Sequence, residues 1–227
     1  MNITAAHLTQ STNPTGGTNI FTTPSVSPSP NKLQLLTIAA QDTSVTPAQP
    51  TISGCNLTWE LAATKQNSFD GKQKIWVFRA LAPNPTPGTI TITFSGSITS
   101  VLYSLDEFTP VNKSLGEGEG AIVQTTTGDS NSTDGTIAMT LSAFQNSSNA
   151  TFFAIISPDL TSIPAGFSDL IGIVQDLGPD NTLRVGFKDS PATSFNLTWA
   201  GSGAEVSSAI ALEIKLAKPS SGFLLAS

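Results

Sequence analysis

Short runs in which apolar and polar residues alternate one by one constrain the fold of this chain more than any other feature. In residues 89–94, Thr-Ile-Thr-Ile-Thr-Phe, every second side chain is apolar, and the same alternation recurs at 183–188 and 208–216. A period of two is the strand period, and β-branched residues suit a half-buried pleated surface. No long segment keeps a helical period with caps at its ends, so the sequence predicts an all-β protein.

Two other runs are apolar on both faces. Residues 75–78 (Ile-Trp-Val-Phe) and 152–156 (Phe-Phe-Ala-Ile-Ile) predict central strands covered on both sides, or strands at an interface. Turn-forming residues separate the runs, as in Asp70-Gly71, Asp134-Gly135 and the Pro-rich stretch 83–88. Many short strands with regular turns indicate an antiparallel β-sandwich of the jelly-roll type.

A weak internal repeat organises the strands. The first copy has runs at 33–40, 75–80, 89–94 and 101–108, and the second has runs at 151–156, 183–188, 194–199 and 208–216. The repeat predicts internally duplicated halves, residues 32–110 and 135–217, joined by a Gly-, Thr- and Ser-rich loop over 111–134. One sandwich with two related halves and two similar domains both fit this pattern.

The two ends differ in composition from the rest of the chain. Residues 1–31 are rich in Thr, Ser, Asn and Pro and predict an extended N-terminal arm. Residues 218–227 predict a tail whose apolar tip is Phe223, Leu224 and Leu225. An exposed tip of this kind is a poor surface for a free monomer. The tip therefore either folds back on its own core or docks on a neighbouring subunit.

Charge and composition exclude several classes of partner. The net charge is −6 and the ten Lys and Arg residues are scattered, so neither nucleic acid nor an anionic membrane surface is an expected partner. No run of 18 apolar residues predicts a transmembrane helix. The first residues carry neither a basic segment nor an apolar segment of the secretory type, which predicts synthesis in a cytoplasm. The single cysteine, Cys55, rules out an intrachain disulfide and is expected to fill a turn.

The residue inventory predicts no enzyme, no cofactor and no metal centre. The only histidine, His7, lies in the predicted arm, so a nucleophile lacks a base and a zinc site lacks ligands. Paired carboxylates remain the one enzymatic alternative, for example Glu60 with Glu107 in a glycosidase. The loop Asp129–Asp134 slightly resembles a calcium loop, although its spacing favours a plain turn.

Three aromatic residues are candidates for a glycan platform. Trp59, Trp76 and Tyr103 could stack on sugar rings from one face of a sheet. Packing inside the core is the more frequent fate of such residues in a sandwich.

Three stretches carry a resemblance to known proteins. They are Ser-Gly-Cys-Asn-Leu-Thr-Trp at 53–59 followed by the apolar strand 75–80, the strand 88–95 containing Thr-Ile-Thr, and Ala-Ile-Ala-Leu-Glu-Ile at 209–214. Together they resemble β-sandwich proteins of tailed phages, namely capsid decoration (cement) proteins and tail or fibre components. That family implies no catalytic residues.

The composition and the resemblance lead to one expectation of function. We expect a structural virion surface protein, a capsid decoration protein that is a homo-oligomer and binds the major capsid protein or another virion protein through shape-complementary contacts and terminal arms. The alternative is a tail, fibre or cell-surface carbohydrate-binding module that uses sheet-borne aromatic residues.

Overall fold

The computed structural model describes residues 1–12, 17–131, 134–157, 162–171, 174–175, 181–200 and 206–218. Antiparallel β-strands dominate these residues, which confirms the predicted all-β class. The strands of the first part are β1 (Thr4–Thr12), β2 (Thr18–Thr22), β3 (Leu33–Gln41), β4 (Thr51–Gly54), β5 (Glu60–Gln66), β6 (Gln73–Ala80), β7 (Ile90–Ile98) and β8 (Ser100–Thr109). After a short 3-10 helix, Gly116–Ala121, come β9 (Ile122–Ser130), β10 (Asp134–Thr140), β11 (Ala150–Ser157), β12 (Ser168–Asp169), β13 (Val174–Gln175), β14 (Thr182–Lys188), β15 (Ser194–Ala200) and β16 (Ser207–Ile214).

The described strands form four sheets. Sheet I has the order β1-β8-β3-β6-β5, and sheet II has the order β2-β7-β4. Sheet III has the order β12-β14-β11-β16-β9, with β13 also paired to β14, and sheet IV pairs β10 with β15. The strands of each sheet come from one part of the chain, β1–β8 or β9–β16, so the molecule consists of two sheet pairs.

Three apolar cores hold the sheets in the layer order II, I, III, IV. A first core between sheets I and II contains Leu36, Trp76 and Phe94. A central core between sheets I and III joins the two parts of the chain and contains, among others, Phe108 and Phe152. A third core between sheets III and IV contains Trp199. Sheets I and III are therefore covered on both faces.

This arrangement explains the runs that are apolar on both faces. Along β6, Ile75 and Val77 point into the central core while Trp76 and Phe78 point into the first core. In β11, Phe152 belongs to the central core and the next residue to the third core. The prediction of doubly covered central strands is confirmed. By contrast, β7 buries Ile90, Ile92 and Phe94 and turns its threonines outward, as its alternation predicts.

The strand orders of the two large sheets follow the same scheme. In sheet I the order β1-β8-β3-β6 corresponds position by position to β9-β16-β11-β14 in sheet III. In the smaller sheets, β2-β7 corresponds to β10-β15. The jelly-roll wrapping and the duplication of the halves stay predictions, and these orders are compatible with both.

The structure differs from the predicted boundaries in two places. Residues 1–31, predicted as an arm, include β1 and β2, which are members of sheets I and II. The predicted loop 111–134 contains β9 at the edge of sheet III. Both stretches are rich in threonine, which is common in loops but also favours strands.

Buried amide side chains fasten the two parts together at one end of the central core. The Gln73 amide donates to the Asn181 side chain at 3.3 Å and to the Val206 carbonyl at 3.0 Å. In the turn between β5 and β6, the Asn67 amide donates to the Ser207 carbonyl at 2.9 Å. Asn67 and Gln73 have no exposed surface, so these bonds are shielded from water. We call Asn67, Gln73 and Asn181 the amide clasp.

Candidate functional site

A groove of about 490 Å³ lies where two open sheet edges meet. β1 is an end strand of sheet I and β12 is an end strand of sheet III. Consecutive residues of each strand line the groove, 3–5 on one side and 168–170 on the other. Because successive side chains of a strand point to opposite faces, a cavity lined by consecutive residues runs along the edge of the strand. We call this feature the edge groove.

The edge groove borders the central core, although polar residues such as Thr4, Ser168 and Asp169 also line it. Ile3 and Phe187 belong to that core, and Ala5 and Leu170 pack against it. An apolar group placed there would extend the core.

The rim of the edge groove is polar and carries charged groups of both signs. Asp169 accepts from the guanidinium of Arg184 at 2.7 Å. Asp189 accepts from the Asn2 amide at 3.1 Å. The ammonium of Lys188 lies 5.9 Å from the ring centroid of Phe167. Carboxylates and an ammonium therefore stand side by side on this rim, and one of the carboxylates is in an ion pair.

Beside the groove, His7 follows Ala5 on the inward face of β1 and meets a buried carboxylate. Nδ1 of His7 lies 2.9 Å from Asp106, and the Ser104 hydroxyl donates to the other oxygen of Asp106 at 2.7 Å. Asp106 has no exposed side-chain surface, whereas 28% of the His7 side chain is exposed. Burial raises the pKa of Asp106, although its hydrogen bonds with His7 and Ser104 act in the opposite direction.

The order of these three groups decides what they can do chemically. In a nucleophilic triad the histidine stands between the serine and the carboxylate. Here Asp106 stands between Ser104 and His7, so the imidazole does not activate the serine. The cluster anchors β1 to β8, since their backbones are also paired at His7 and Asp106.

The predicted carboxylate pair does not come together. Glu60 on β5 is the register partner of Arg79 on β6, and Arg79 is the register partner of Leu35 on β3. Leu35 in turn is paired with Asp106 on β8. Glu60 thus shares a face with Asp106, and the neighbouring Glu107 points to the other face. Three strand spacings, roughly 14 Å, separate β5 from β8, beyond the separation used by glycosidases.

Glu107 is itself engaged in fixing the chain before β3. It is 4% exposed and accepts hydrogen bonds from Lys32 at 2.5 Å, from the Ser29 backbone at 3.1 Å and from Gln34 at 3.2 Å. Burial would raise the pKa of Glu107, but these bonds outweigh it and hold the pKa below its usual range.

The three aromatic candidates are placed differently from one another. Trp76 has no exposed surface and Tyr103 is 4% exposed, and both belong to the first core. Their ring faces are therefore not available to a sugar in this structure. Trp59 is half-buried against the same core, and its indole nitrogen has no hydrogen-bond partner among the described residues.

Phe223, Leu224 and Leu225 lie outside the described residues. The candidate calcium loop is described only in part, and its Asp129 is bound by Lys65 at 2.9 Å and by Ser68. Cys55 is buried in a turn, as predicted. Within the described ranges no group of three His, Cys, Asp or Glu side chains is placed to hold a metal ion.

Two outer surfaces, on sheets II and IV, were not predicted from the sequence. On sheet II, Thr22, Thr91 and Ser53 form one cross-strand row, and Ile20, Thr93 and Thr51 form the next. On sheet IV, at the opposite end of the layer order, the outward pairs are Thr136 with Thr198, Ala138 with Asn196, and Thr140 with Ser194. We call these surfaces the hydroxyl faces, and none of these residues is charged. The period-two threonines signalled such faces in the sequence.

Comparison with known proteins gives no relative: no protein-family model, curated protein or solved structure matches this chain. Among the described residues, no helix is long and apolar enough to cross a bilayer.

Proposed function

We propose that this protein is a structural protein of a virion surface, a capsid decoration protein that binds the major capsid protein or another virion protein. It acts as a homo-oligomer by shape-complementary contact rather than by chemistry. The observation that carries this proposal is the pair of hydroxyl faces, two sheet surfaces at opposite ends of a four-layer molecule whose outward rows named above carry no charge.

Uncharged hydroxyl and amide groups suit a contact made through hydrogen bonds and bridging water. A rigid sheet loses little conformational freedom when it binds, so it keeps more of the interaction energy than a loop would. Two such surfaces on opposite sides let one molecule contact the particle with one face and a neighbouring protein with the other.

Localisation on particles is the first test. Immunogold electron microscopy of lysates and particles from the source organism is expected to place gold over icosahedral heads. Gold confined to tail tips or cell surfaces, with bare heads, would contradict capsid decoration.

Charge substitutions then test the surfaces. Thr91→Lys with Thr93→Lys on sheet II, or Thr136→Lys on sheet IV, places an ammonium in a face, and we expect sedimentation with particles to be lost for at least one of them. Thr125→Lys is the matched control, because Thr125 is an exposed strand threonine on β9, outside both hydroxyl faces. Unchanged binding by both face variants would exclude the hydroxyl faces as the contact.

A second candidate function is carbohydrate binding, and the placement of Trp59 favours it. Trp59 is the one of the three candidate aromatics that is only partly buried. If this function holds, Trp59→Ala abolishes glycan binding in a glycan array while far-UV circular dichroism shows that the variant is still folded. Trp76→Ala is the contrast, since loss of a buried Trp costs about 3–5 kcal/mol of stability.

A further inference from the structure

The attachment of β1 to sheet I includes an ionisable pair placed at a fault in the strand ladder. β1 is paired with β8 on one side and contacted by β13 on the other. Its register with β8 shifts between His7 and Thr9. At this shift, Nδ1 of His7 lies 2.9 Å from the Asp106 carboxylate. Because a register shift disrupts the backbone pairing locally, the side-chain contact carries more of the attachment there.

The carboxylate of this pair is buried far more deeply than the imidazole. The Asp106 side chain has no exposed surface, while 28% of the His7 side chain is exposed. A buried carboxylate is favourable only when it is protonated or paired with a positive charge. Among the described residues His7 is the one that forms an ion pair with Asp106, and the Ser104 hydroxyl, which donates at 2.7 Å, carries no charge. The pair is therefore favourable while it holds a proton on either partner.

The part of sheet III that faces the pair is uncharged in its described strands. β14 contacts β8, and β13 contacts β1. β14 turns the apolar side chains Leu183, Val185 and Phe187 toward the central core, and β13 consists of Val174 and Gln175. These side chains can neither replace nor neutralise the proton of the pair.

The charged residues of sheet III lie on its other face or on the rim of the edge groove. Arg184 points to the opposite face of β14 and is paired with Asp169. Asp169, Lys188 and Asp189 line the groove together with Ala5, two residues before His7 on β1. Since Arg184 and Lys188 balance the two carboxylates, this rim adds no net charge beside the pair.

Within sheet I, the other charged groups are kept away from the buried carboxylate. Leu35 on β3 separates Asp106 from Arg79 on β6, so two strand spacings, roughly 10 Å, lie between them. The Arg79 guanidinium donates instead to a backbone carbonyl of the 3-10 helix at 3.1 Å. Glu60 lies one strand farther, and Glu107 points to the opposite face. The imidazole is thus the one described basic group in contact with the buried carboxylate.

The proton balance of strand opening gives the direction of the pH effect. When β1 opens, both side chains enter water, where above a pH of about 6.5 neither an aspartate nor a histidine keeps a proton. The closed pair keeps one, because its loss leaves a buried carboxylate without a counter-charge. Opening then releases a proton, and it becomes easier by up to about tenfold for each pH unit.

We propose that His7 and Asp106 form a pH-sensitive latch, which holds β1 on β8 while the pair keeps a proton and loosens this strand as rising pH removes the proton. The burial that raises the pKa of Asp106 acts in the same direction. Opening of β1 uncovers the side of the central core that contains Ile3, the residue before the strand. This inference does not depend on the virion proposal.

Amide hydrogen exchange of the full-length wild type tests the latch, because exchange reports local opening of a strand. Protection factors, which are corrected for the intrinsic pH dependence of exchange, are measured by NMR between about pH 6.5 and about pH 8.5. We expect the amides of β1 to lose roughly 10-fold in protection over this range. The other end strand of sheet I, β5, has no buried ionisable residue and should keep its protection. The ring signals of His7, the only histidine of the chain, should change over the same range.

Two variants separate the proton from the hydrogen bonding. Asp106→Asn keeps the shape of the side chain but cannot ionise, so its β1 protection should no longer depend on pH. Ser104→Ala is the matched control, because it removes a hydrogen bond to the same carboxylate and leaves the pair intact. We expect Ser104→Ala to lower the protection of β1 at every pH and to retain the pH dependence.

Three results would overturn the latch. Protection of β1 that stays constant with pH in the wild type does so without any variant. A pH dependence that survives in Asp106→Asn would assign the effect to other groups. Parallel losses in β1 and β5 would show that the whole sheet opens rather than one strand.

Discussion

Asp106 and Glu107 are adjacent on β8, but their side chains meet opposite environments. Asp106 points into the central core, where burial raises its pKa. Glu107 points to the other face, where Lys32, Ser29 and Gln34 outweigh burial and lower its pKa. Neighbouring carboxylates on one strand therefore make opposite contributions to the pH dependence of stability.

Glu107→Gln tests the lowered pKa. A depressed carboxyl pKa stabilises the folded state above the unfolded value of about 4.3, and this contribution is lost as the pH falls through the folded value. We expect the variant to lose about 1–3 kcal/mol at neutral pH, because the amide cannot satisfy the same donors. In denaturant titrations, the difference in free energy of unfolding between the variant and the wild type should become smaller as the pH falls. Glu119→Gln, at an exposed glutamate, is the control. A free-energy difference that becomes larger at low pH would contradict the lowered pKa of Glu107.

Asp106→Asn should show the reverse trend. In the unfolded chain, Asp106 loses its proton near the ordinary Asp pKa of about 3.9. Because the pKa is raised in the folded state, folded Asp106 keeps its proton to a higher pH. The wild type then loses stability as the pH rises toward the folded value, and the amide variant does not. Between about pH 4 and neutrality, we expect the free energy of unfolding of the wild type to fall relative to that of the Asp106→Asn variant. Asp70→Asn, at an exposed aspartate, should show no such shift, and a pH-independent difference for Asp106→Asn would sink the prediction.

At the scale of elements, the turn after β4 depends on Gly54. Gly54 has φ +124°, and a Cβ there would lie 2.2 Å from the Thr89 carbonyl oxygen. Both the backbone conformation and the space exclude a larger residue. We expect Gly54→Ala to cost at least about 2 kcal/mol in thermal or chemical denaturation. Gly88→Ala, where a Cβ meets nothing within 4 Å, should cost far less, and equal losses would show that the steric argument fails.

Element type was predictable wherever local patterning decided it. The alternation in β7 and the doubly apolar runs in β6 and β11 each gave a strand with the expected faces. β1 and β9 were missed because their Thr-rich sequences also fit loops, and only pairing with β8 and β16 makes them strands. The aromatic candidates illustrate the same limit, since burial of Trp76 depends on sheet II packing over it.

At the scale of the whole molecule, the candidate site depends on contacts that no local pattern reveals. His7 and Asp106 are 99 residues apart, and the two walls of the edge groove come from the two parts of the chain. The amide clasp likewise joins residues more than 100 positions apart. Sequence spacing carries no signal for such pairs. The strands could therefore be predicted, whereas the contacts between the two parts of the chain could not.

The contacts between the two parts of the chain lead us to expect that the molecule unfolds as one unit. The central core and the amide clasp join sheets I and III, so damage inside one sheet pair should weaken the other. Phe94 lies only in the first core, and Phe94→Ala should cost about 3–5 kcal/mol. Hydrogen exchange should then show the slowest amides of β15, in the distant sheet IV, losing protection by the same free energy as those of β7. Unchanged protection in β15 would mean that the two sheet pairs unfold independently despite their shared core.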